Sequence, residues 1–277
     1  MATAEVTSPD AALVVESANK VFPRGKGGDL QVLQDVSLTV AKGEVVTIVG
    51  PSGCGKSTLL TACAGLTKLT SGRILVHGKE VRRPGPERSV VFQHASLLPW
   101  RSVRGNIAYG MEMQRSASKG ERKERVDWAL ELVGLENFAD SYPNQLSGGM
   151  QQRVNLGRAL ATRPEVLLMD EPFGALDAMT KTRLQLEVSK ISSETKATII
   201  FVTHDIEEAV LLGDRVVVMS ARPGRISRIF DVATPRPRGD DFAESETFVS
   251  LRREIRLCIY APDDQRDPAG MGLVGSG

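Results

Sequence analysis

Residues 50–58 read Gly-Pro-Ser-Gly-Cys-Gly-Lys-Ser-Thr, and they restrict the chain to very few folds. The apolar run Val45-Val46-Thr47-Ile48-Val49 precedes them, and the helix-forming stretch Ser57-Thr58-Leu59-Leu60-Thr61-Ala62-Cys63-Ala64 overlaps their end. A strand, a loop of the pattern G-x-x-x-x-G-K-[ST] and a helix, in that order, make a phosphate-binding loop. Gly50, Gly53 and Gly55 allow the backbone to bend so that successive N–H groups point inward at phosphate oxygens. The helix N-terminus adds partial positive charge. Lys56 is placed to bridge the β- and γ-phosphates of a nucleoside triphosphate, and the Ser57 hydroxyl to ligate Mg²⁺. Ser52, Cys54 and Thr58 complete the cradle, with Cys54 filling space.

A second string supports the same chemistry. Residues 165–171 read Glu-Val-Leu-Leu-Met-Asp-Glu, four apolar residues followed by acids. Beside a phosphate loop, a buried strand would deliver Asp170 to the sheet edge to hold Mg²⁺ through water. Glu171 then sits where a base can polarise an attacking water. A third string, Leu146-Ser147-Gly148-Gly149-Met150-Gln151-Gln152-Arg153, opens with an N-cap serine and two glycines that leave backbone N–H groups accessible. It predicts a second anion site at a helix N-terminus, with no phosphate loop of its own to serve.

Between these strings the chain reads as α/β. Val45–Val49, 166–169 and 198–203 are apolar on both faces, as strands of a covered parallel sheet are, and 89–92 and 215–219 are further strands. Residues 36–40 and 71–78 instead suggest an antiparallel layer before the parallel core. The region 100–160 carries no clear strand; Ser118-Lys119-Gly120-Glu121 is a capping box opening a helix that Gly134 ends. The fold expected is a P-loop NTPase (RecA-like) parallel-sheet core with an N-terminal antiparallel β layer and an inserted helical subdomain at about 98–158. One domain over 12–260 is expected, with tails at 1–11 and 261–277 and a terminal helix around 242–257.

The composition excludes several classes of function. Lys and Arg total 35 against 34 Asp and Glu, so the net charge of +1 creates no field toward nucleic acid, and none is expected as a partner. The pairs Arg82-Arg83 and Arg236-Pro237-Arg238 read as solvated surface. Three cysteines, Cys54, Cys63 and Cys258, have neither disulfide nor metal spacing. The longest apolar run is five residues, far short of the roughly 20 that a membrane helix needs. The first residues show no leader pattern.

In order and spacing, these strings resemble the nucleotide-binding subunit of ATP-binding cassette transporters. Residues 50–58 match that family's Walker A element, 166–171 its Walker B and 146–153 its signature. Gln93 after Val90-Val91-Phe92 matches the Q-loop, Ala175-Leu176-Asp177 the D-loop and His204 in Val202-Thr203-His204-Asp205 the switch histidine. The resemblance implies two subunits facing head to tail, a homodimer or a pair with a paralogous ATPase subunit. Each ATP would then lie between one Walker A and the other subunit's Ser147, Gly148 and Gly149. It further implies that Glu171 is the catalytic base, that His204 contacts the γ-phosphate, that Gln93 approaches Mg²⁺ and that Asp177 lies near the nucleotide. Phe22 falls where the family stacks an aromatic, usually Tyr, on adenine. The implied partners are an integral membrane permease and, indirectly, an extracytoplasmic solute-binding protein. The implied location is peripheral, on the cytoplasmic face of the plasma membrane.

Finer strings resemble the nitrate/sulfonate/taurine importer branch. They are Pro84-Gly85-Pro86-Glu87-Arg88, Leu97-Leu98-Pro99-Trp100, Glu171-Pro172-Phe173-Gly174-Ala175-Leu176-Asp177 and Ser220-Ala221-Arg222-Pro223-Gly224. Gly174 stands where many cassettes carry Ser, and Gly157 where Ala is common. An exporter ATPase, or a soluble cassette ATPase of DNA repair, remains the alternative. Leu97, Leu98 and Trp100 read either as buried core or as a surface patch that meets the permease.

Overall fold

The computed structural model describes residues 10–24, 28–114, 117–174, 176–221 and 223–260. In chain order the strands and helices are β1 (Ala11–Phe22), β2 (Leu30–Ala41), β3 (Val45–Val49), α1 (Lys56–Cys63), β4 (Ser71–Val76), β5 (Lys79–Glu80), β6 (Arg88–Val91), α2 (Val103–Gln114), α3 (Lys119–Leu132), α4 (Gly148–Ala161), β7 (Val166–Asp170), α5 (Ala178–Thr195), β8 (Thr198–Val202), α6 (Ile206–Leu212), β9 (Arg215–Met219), β10 (Ile226–Asp231), α7 (Asp240–Ala243) and α8 (Glu246–Tyr260). The stretches 1–9 and 261–277, expected as tails, and Ala175 and Arg222 of the sequence strings lie outside the described residues.

Two sheets form. One is antiparallel, in the order β2-β1-β4-β5; the other has six strands in the order β10-β9-β3-β8-β7-β6. In the second sheet only β10 runs antiparallel. Every residue of β3, β7 and β8 is buried, which is why those strands read as unbroken apolar runs. The phosphate-loop strand β3 is central, flanked by β8 and β9, and β7 lies on the far side of β8. The parallel strands all end at one edge. Chain continuity therefore brings the residues after β3, β6, β7 and β8 together there, which is where ligands bind in open α/β sheets.

Helix α1 sits between the sheets. Its Leu59, Leu60 and Cys63 join a core that also takes Leu13, Leu38 and Ile74 from the antiparallel layer and Ile48, Leu168 and Ile200 from the parallel sheet. A truncation such as Leu60→Ala in a core of this kind costs about 2–5 kcal/mol. Burial pushes the Cys63 thiol up to about 12, so it behaves as an apolar filler.

Helices α2, α3 and α4 share a core of their own, built on Ile107, Met111, Leu130 and Val154. The expected capping box is present: Ser118 N–H donates to Glu121 and the Glu121 N–H to Ser118 Oγ, at 2.9 and 3.3 Å. Gly134 follows α3 at a φ of 62°, the left-handed backbone that ends such a helix.

Two expectations need correction. The terminal helix is two helices. The Ser245 hydroxyl donates to the Phe242 carbonyl at 2.7 Å and accepts from the Phe248 N–H at 3.2 Å, ending one helix and capping the next. The second concerns Arg236 and Arg238, which are not solvated surface. The Arg236 guanidinium clamps both oxygens of Asp214 at 2.8 and 2.9 Å. The buried Arg238 donates to the carbonyls of Val210, Leu211, Gly213, Val232 and Thr234. It thereby ties the end of α6 to the chain leaving β10. Burial pulls its guanidinium down to about 10. Arg82, by contrast, is exposed and pairs with Glu80.

Candidate functional site

The loop after β3 wraps the first turn of α1. Gly55 caps that helix with φ 97°, and a Cβ there would stand 2.7 Å from Leu33 Cδ2. Both the backbone and the space demand glycine. The Lys56 ammonium, almost fully buried, donates to the carbonyls of Gly50 and Pro51 at 2.8 and 3.2 Å and lies 3.8 Å from Cys54 Sγ. Burial raises the Cys54 thiol pKa, with Lys56 opposing. Cys54 is therefore a space-filling thiol, as its place in the loop suggested.

Gly224 is a loop neighbour whose reason the sequence did not reveal. A Cβ at Gly224 would stand 2.0 Å from the Cys54 carbonyl. Its N–H donates to the Val32 carbonyl at 2.9 Å, and its own carbonyl accepts from Gln34 N–H at 2.9 Å. The Pro223-Gly224 turn is thus a brace that brings β2 and the phosphate loop into backbone contact.

At the end of β7, Asp170 Oδ1 accepts from the Ser57 hydroxyl at 3.0 Å. Burial raises the Asp170 carboxyl above its ordinary range; the Ser57 hydrogen bond opposes this, the Glu171 charge adds to it, and Lys56 opposes it. Glu171 holds a left-handed backbone, φ 45°, uncommon for a residue with a side chain and found where surrounding structure enforces it. Its N–H donates to the Val202 carbonyl at 2.9 Å. Its Oε2 accepts from Gln93 Nε2 at 3.2 Å and lies 3.1 Å from His204 Nδ1. The ends of β6, β7 and β8 therefore converge on one carboxylate oxygen.

Lys56, Ser57, Gln93, Glu171 and His204 face one cavity of about 560 Å³, lined by residues 52–58, Gln93, Glu171 and His204, with Val32 at its side. Asp170 and Gly50 do not line it, and Asp170 reaches it through Ser57. Sequence reasoning missed Val32; its signal, a single apolar residue in a half-buried strand, is not distinctive. A larger cavity of about 800 Å³ lies at the opposite ends of the strands, among Trp128, Leu132, Val188 and Ile191. It holds none of the phosphate-binding groups, so volume does not identify the site here; the donor set does.

Other predicted residues lie outside the 560 Å³ cavity. Ser147, Gly148 and Gly149 open α4 instead, with Ser147 Oγ accepting from Met150 N–H at 3.3 Å. Ser147 and Gly148 are exposed, and a Cβ at Gly148 would meet nothing within 4 Å. Asp177 caps α5 through Thr180 N–H at 3.0 Å, and that bond holds its carboxyl below the usual range. Phe22, 39% exposed, ends β1 opposite Leu30, two residues from Val32; Lys20 Nζ stands 4.5 Å over its ring.

A family model described as ABC transporter matches residues 33–174, just over half of the chain. The chain belongs to the ABC transporter family. An ABC transporter ATP-binding protein of Methanocaldococcus jannaschii is 49% identical over 88% of this chain and 89% of its own length. Two Synechococcus elongatus proteins, the nitrate import ATP-binding protein NrtC and the bicarbonate transport ATP-binding protein CmpC, are 46% and 47% identical over 88% and 92% of this chain. The chain spans only 37% and 38% of those two proteins. The cassette MJ0796, solved as a dimer in a post-hydrolysis state bound to ADP and Pi, matches with a TM-score of 0.73 and 32% identity, over 80% of this chain and 99% of that one. The fold is that of a P-loop ATPase, and this ABC cassette is an ATP-binding subunit whose family activity is ATP hydrolysis. Among the described residues no helix is long and apolar enough to cross a membrane.

Proposed function

We propose that this ABC cassette is the ATP-hydrolysing subunit of an importer for a small anionic solute, in the chemical range of nitrate, bicarbonate, taurine and sulfonates. The hydrolytic part of the reading rests on the two contacts at Glu171, where Gln93 and His204 meet one carboxylate oxygen beside the phosphate loop; the solute class rests on the likeness to the nitrate and bicarbonate relatives. Lys56 and the loop N–H groups bind the ATP phosphates, and Phe22 stacks on adenine. Glu171 accepts a proton from the attacking water as the water oxygen bonds to the γ-phosphorus; the bond from that phosphorus to the β–γ bridging oxygen breaks, ADP leaves with the bond's electron pair, and His204 donates a hydrogen bond to the γ-phosphate.

Ser57 and Asp170, with Gln93, are the groups that would hold Mg²⁺, which supplies charge neutralisation of the phosphates. The donor set fits: a hydroxyl and a buried carboxylate are hard oxygen ligands. Among the described residues no three His, Cys, Asp or Glu side chains cluster to hold a metal, so the ion needs phosphate oxygens as well.

The exposed signature of one subunit, Ser147-Gly148-Gly149, completes the ATP site of a second, with Asp177 at the same interface. A permease docks through the segment after Gln93. Leu97 is packed on the α2–α4 core, whereas Trp100 is 71% exposed at the tip of a turn. Asn106 pins that turn: it accepts from Leu98 N–H at 2.8 Å and donates to the carbonyls of Leu98, Arg101 and Ser102. A groove of about 360 Å³ lies beside it, among Leu66, Phe92, Tyr109 and Arg158, and it is the place this reading gives to a short helix of the permease. The complex sits on the cytoplasmic face of the membrane, and an extracytoplasmic binding protein delivers the solute.

The test is transport. The full chain is reconstituted with the integral membrane protein it co-purifies with, and labelled anions are followed across vesicles. Inward, ATP-dependent movement of a small anion is expected, and outward movement would overturn the importer reading. Trp100→Ala is expected to weaken co-purification about 5- to 30-fold, as loss of an aromatic anchor does.

A further inference from the structure

His204 lies in the three-residue link between β8 and α6, and its own side chain is exposed. Its two neighbours in sequence, however, are tied to α5. Glu208, 4% exposed on α6, has both carboxylate oxygens engaged. Oε1 accepts from Gln185 Nε2 at 2.8 Å and lies 3.3 Å from Lys181 Nζ, while Oε2 accepts from the Thr203 hydroxyl. Thr203 Oγ1 in turn accepts from the Asp205 N–H at 3.0 Å. Asp205 Oδ1 caps α6 through the N–H groups of Glu207 and Glu208, at 3.0 and 3.3 Å. Its Oδ2 accepts from Lys181 Nζ at 2.8 Å. Burial works to raise the Asp205 carboxyl, but Lys181 and the α6 N–H groups outweigh it and hold the group below its ordinary range.

We propose that Lys181, Gln185 and Glu208 are positioning residues that hold the His204 loop in place, so that α5 sets where the histidine stands relative to Glu171 and the γ-phosphate. The proposal rests on the reading of His204 as a γ-phosphate contact. Lys181 is in the first turn of the helix that Asp177 caps, and its own N–H donates to the Asp177 carbonyl at 2.8 Å. A shift of the Asp177 segment therefore has a polar path to His204 through one ammonium group. Without Lys181, Asp205 loses the partner of Oδ2 and Glu208 loses the one cation that meets it among the described residues, so the two carboxylates are left with only neutral donors. Displacement of a reacting group by about 1 Å is enough to cost on the order of 10² in rate.

A network that only satisfies a buried carboxylate would alter stability, not the His204 step. A mutant cycle separates the two. In the full chain, Lys181→Met is expected to lower kcat about 10- to 100-fold with KM for Mg-ATP within about twofold, and Lys181→Arg to restore kcat to within about threefold. In a His204→Ala background the same Lys181→Met change should alter kcat less than about twofold, because the histidine it places is gone. Equal losses in both backgrounds, or a loss confined to KM, would overturn the proposal. If His204→Ala alone leaves kcat unchanged, the role given to His204 has failed, and this proposal fails with it. Should Lys181→Met not fold, Lys181→Gln and Glu208→Gln carry the same cycle. If none of them folds, the network supports the core rather than places the histidine, and the proposal is wrong.

Discussion

The phosphate loop and the signature helix are both glycine-bearing helix N-termini, yet they are built to opposite ends. The loop is closed on itself. Lys56 is buried and bonded to Gly50 and Pro51, Gly224 braces the outside at Cys54, and Ser57 is bonded to Asp170. The signature is open: Ser147 and Gly148 are exposed, and the space where a Gly148 side chain would stand is empty. An N-terminus enclosed by its own chain can hold phosphate as a monomer. An exposed one gains a ligand only when another molecule presents it, which is the geometry a two-subunit ATP sandwich requires.

The largest effect should come from the closed half. Glu171→Gln keeps the hydrogen-bonding size of the side chain and leaves Lys56, Ser57 and Asp170 intact, so Mg-ATP still binds. On the proposed mechanism this removes the group that takes a proton from water, and turnover is expected to fall by roughly 10²- to 10⁴-fold. Single-turnover and steady-state assays both report this. Normal turnover would remove Glu171 from the chemistry and with it the meaning of its left-handed backbone.

The open half should respond differently. In the Glu171→Gln background, Gly148→Arg adds bulk and a side chain exactly where the structure leaves space, so the monomer should fold normally. ATP-dependent dimerisation should nevertheless weaken on the order of 10²-fold, the scale of about 2.7 kcal/mol. Light scattering with and without Mg-ATP measures it. A dimer that is equally tight with and without nucleotide, or unaffected by Gly148→Arg, would mean that the two N-termini do not meet across one ATP.

The contrast also explains what the sequence made legible. The phosphate loop, β7 with Asp170 and Glu171, and the signature serine are readable because each role lies in a contiguous string with a fixed backbone demand. The strands β3, β7 and β8 are readable because both their faces are covered. β1, at 12 residues, is not legible as a strand. Its register shifts between Val15, Ala18 and Lys20, and a positive φ at Ser17, break the alternation that marks a strand. Arg236 and Arg238 read as solvated because Asp214 and the carbonyls of residues 210–213, which hold them, are remote in sequence. A charge looks solvated until its partner is known. The Glu208 network was invisible for the same reason: its members are spread over 181–208.

The smallest effect tests the closed half from its electrostatics. Asp170 is buried and its carboxyl is raised, so the folded chain holds that proton more tightly than the unfolded chain does. Its contribution to stability is therefore greatest below the unfolded carboxylate value of about 3.9 and is lost as pH rises through the raised folded value. At neutral pH the ionised group is a cost that the Ser57 hydroxyl and Lys56 only partly offset. Asp170→Asn keeps an acceptor for Ser57 and carries no charge. In EDTA its Tm should match or exceed that of the unmodified chain at pH 7, and the advantage should shrink as pH is lowered toward 4. With Mg-ATP the order should reverse, because a neutral amide gives the cation no charge to pair with and the ligand-induced rise in Tm is lost. Thermal melts at several pH values, with and without Mg-ATP, read both halves of this expectation. Parallel pH curves in EDTA would show that burial at Asp170 does not govern its proton. An undiminished Mg-ATP rise in Asp170→Asn would place the cation on other ligands, and the end of β7 would then lose its claim to the metal.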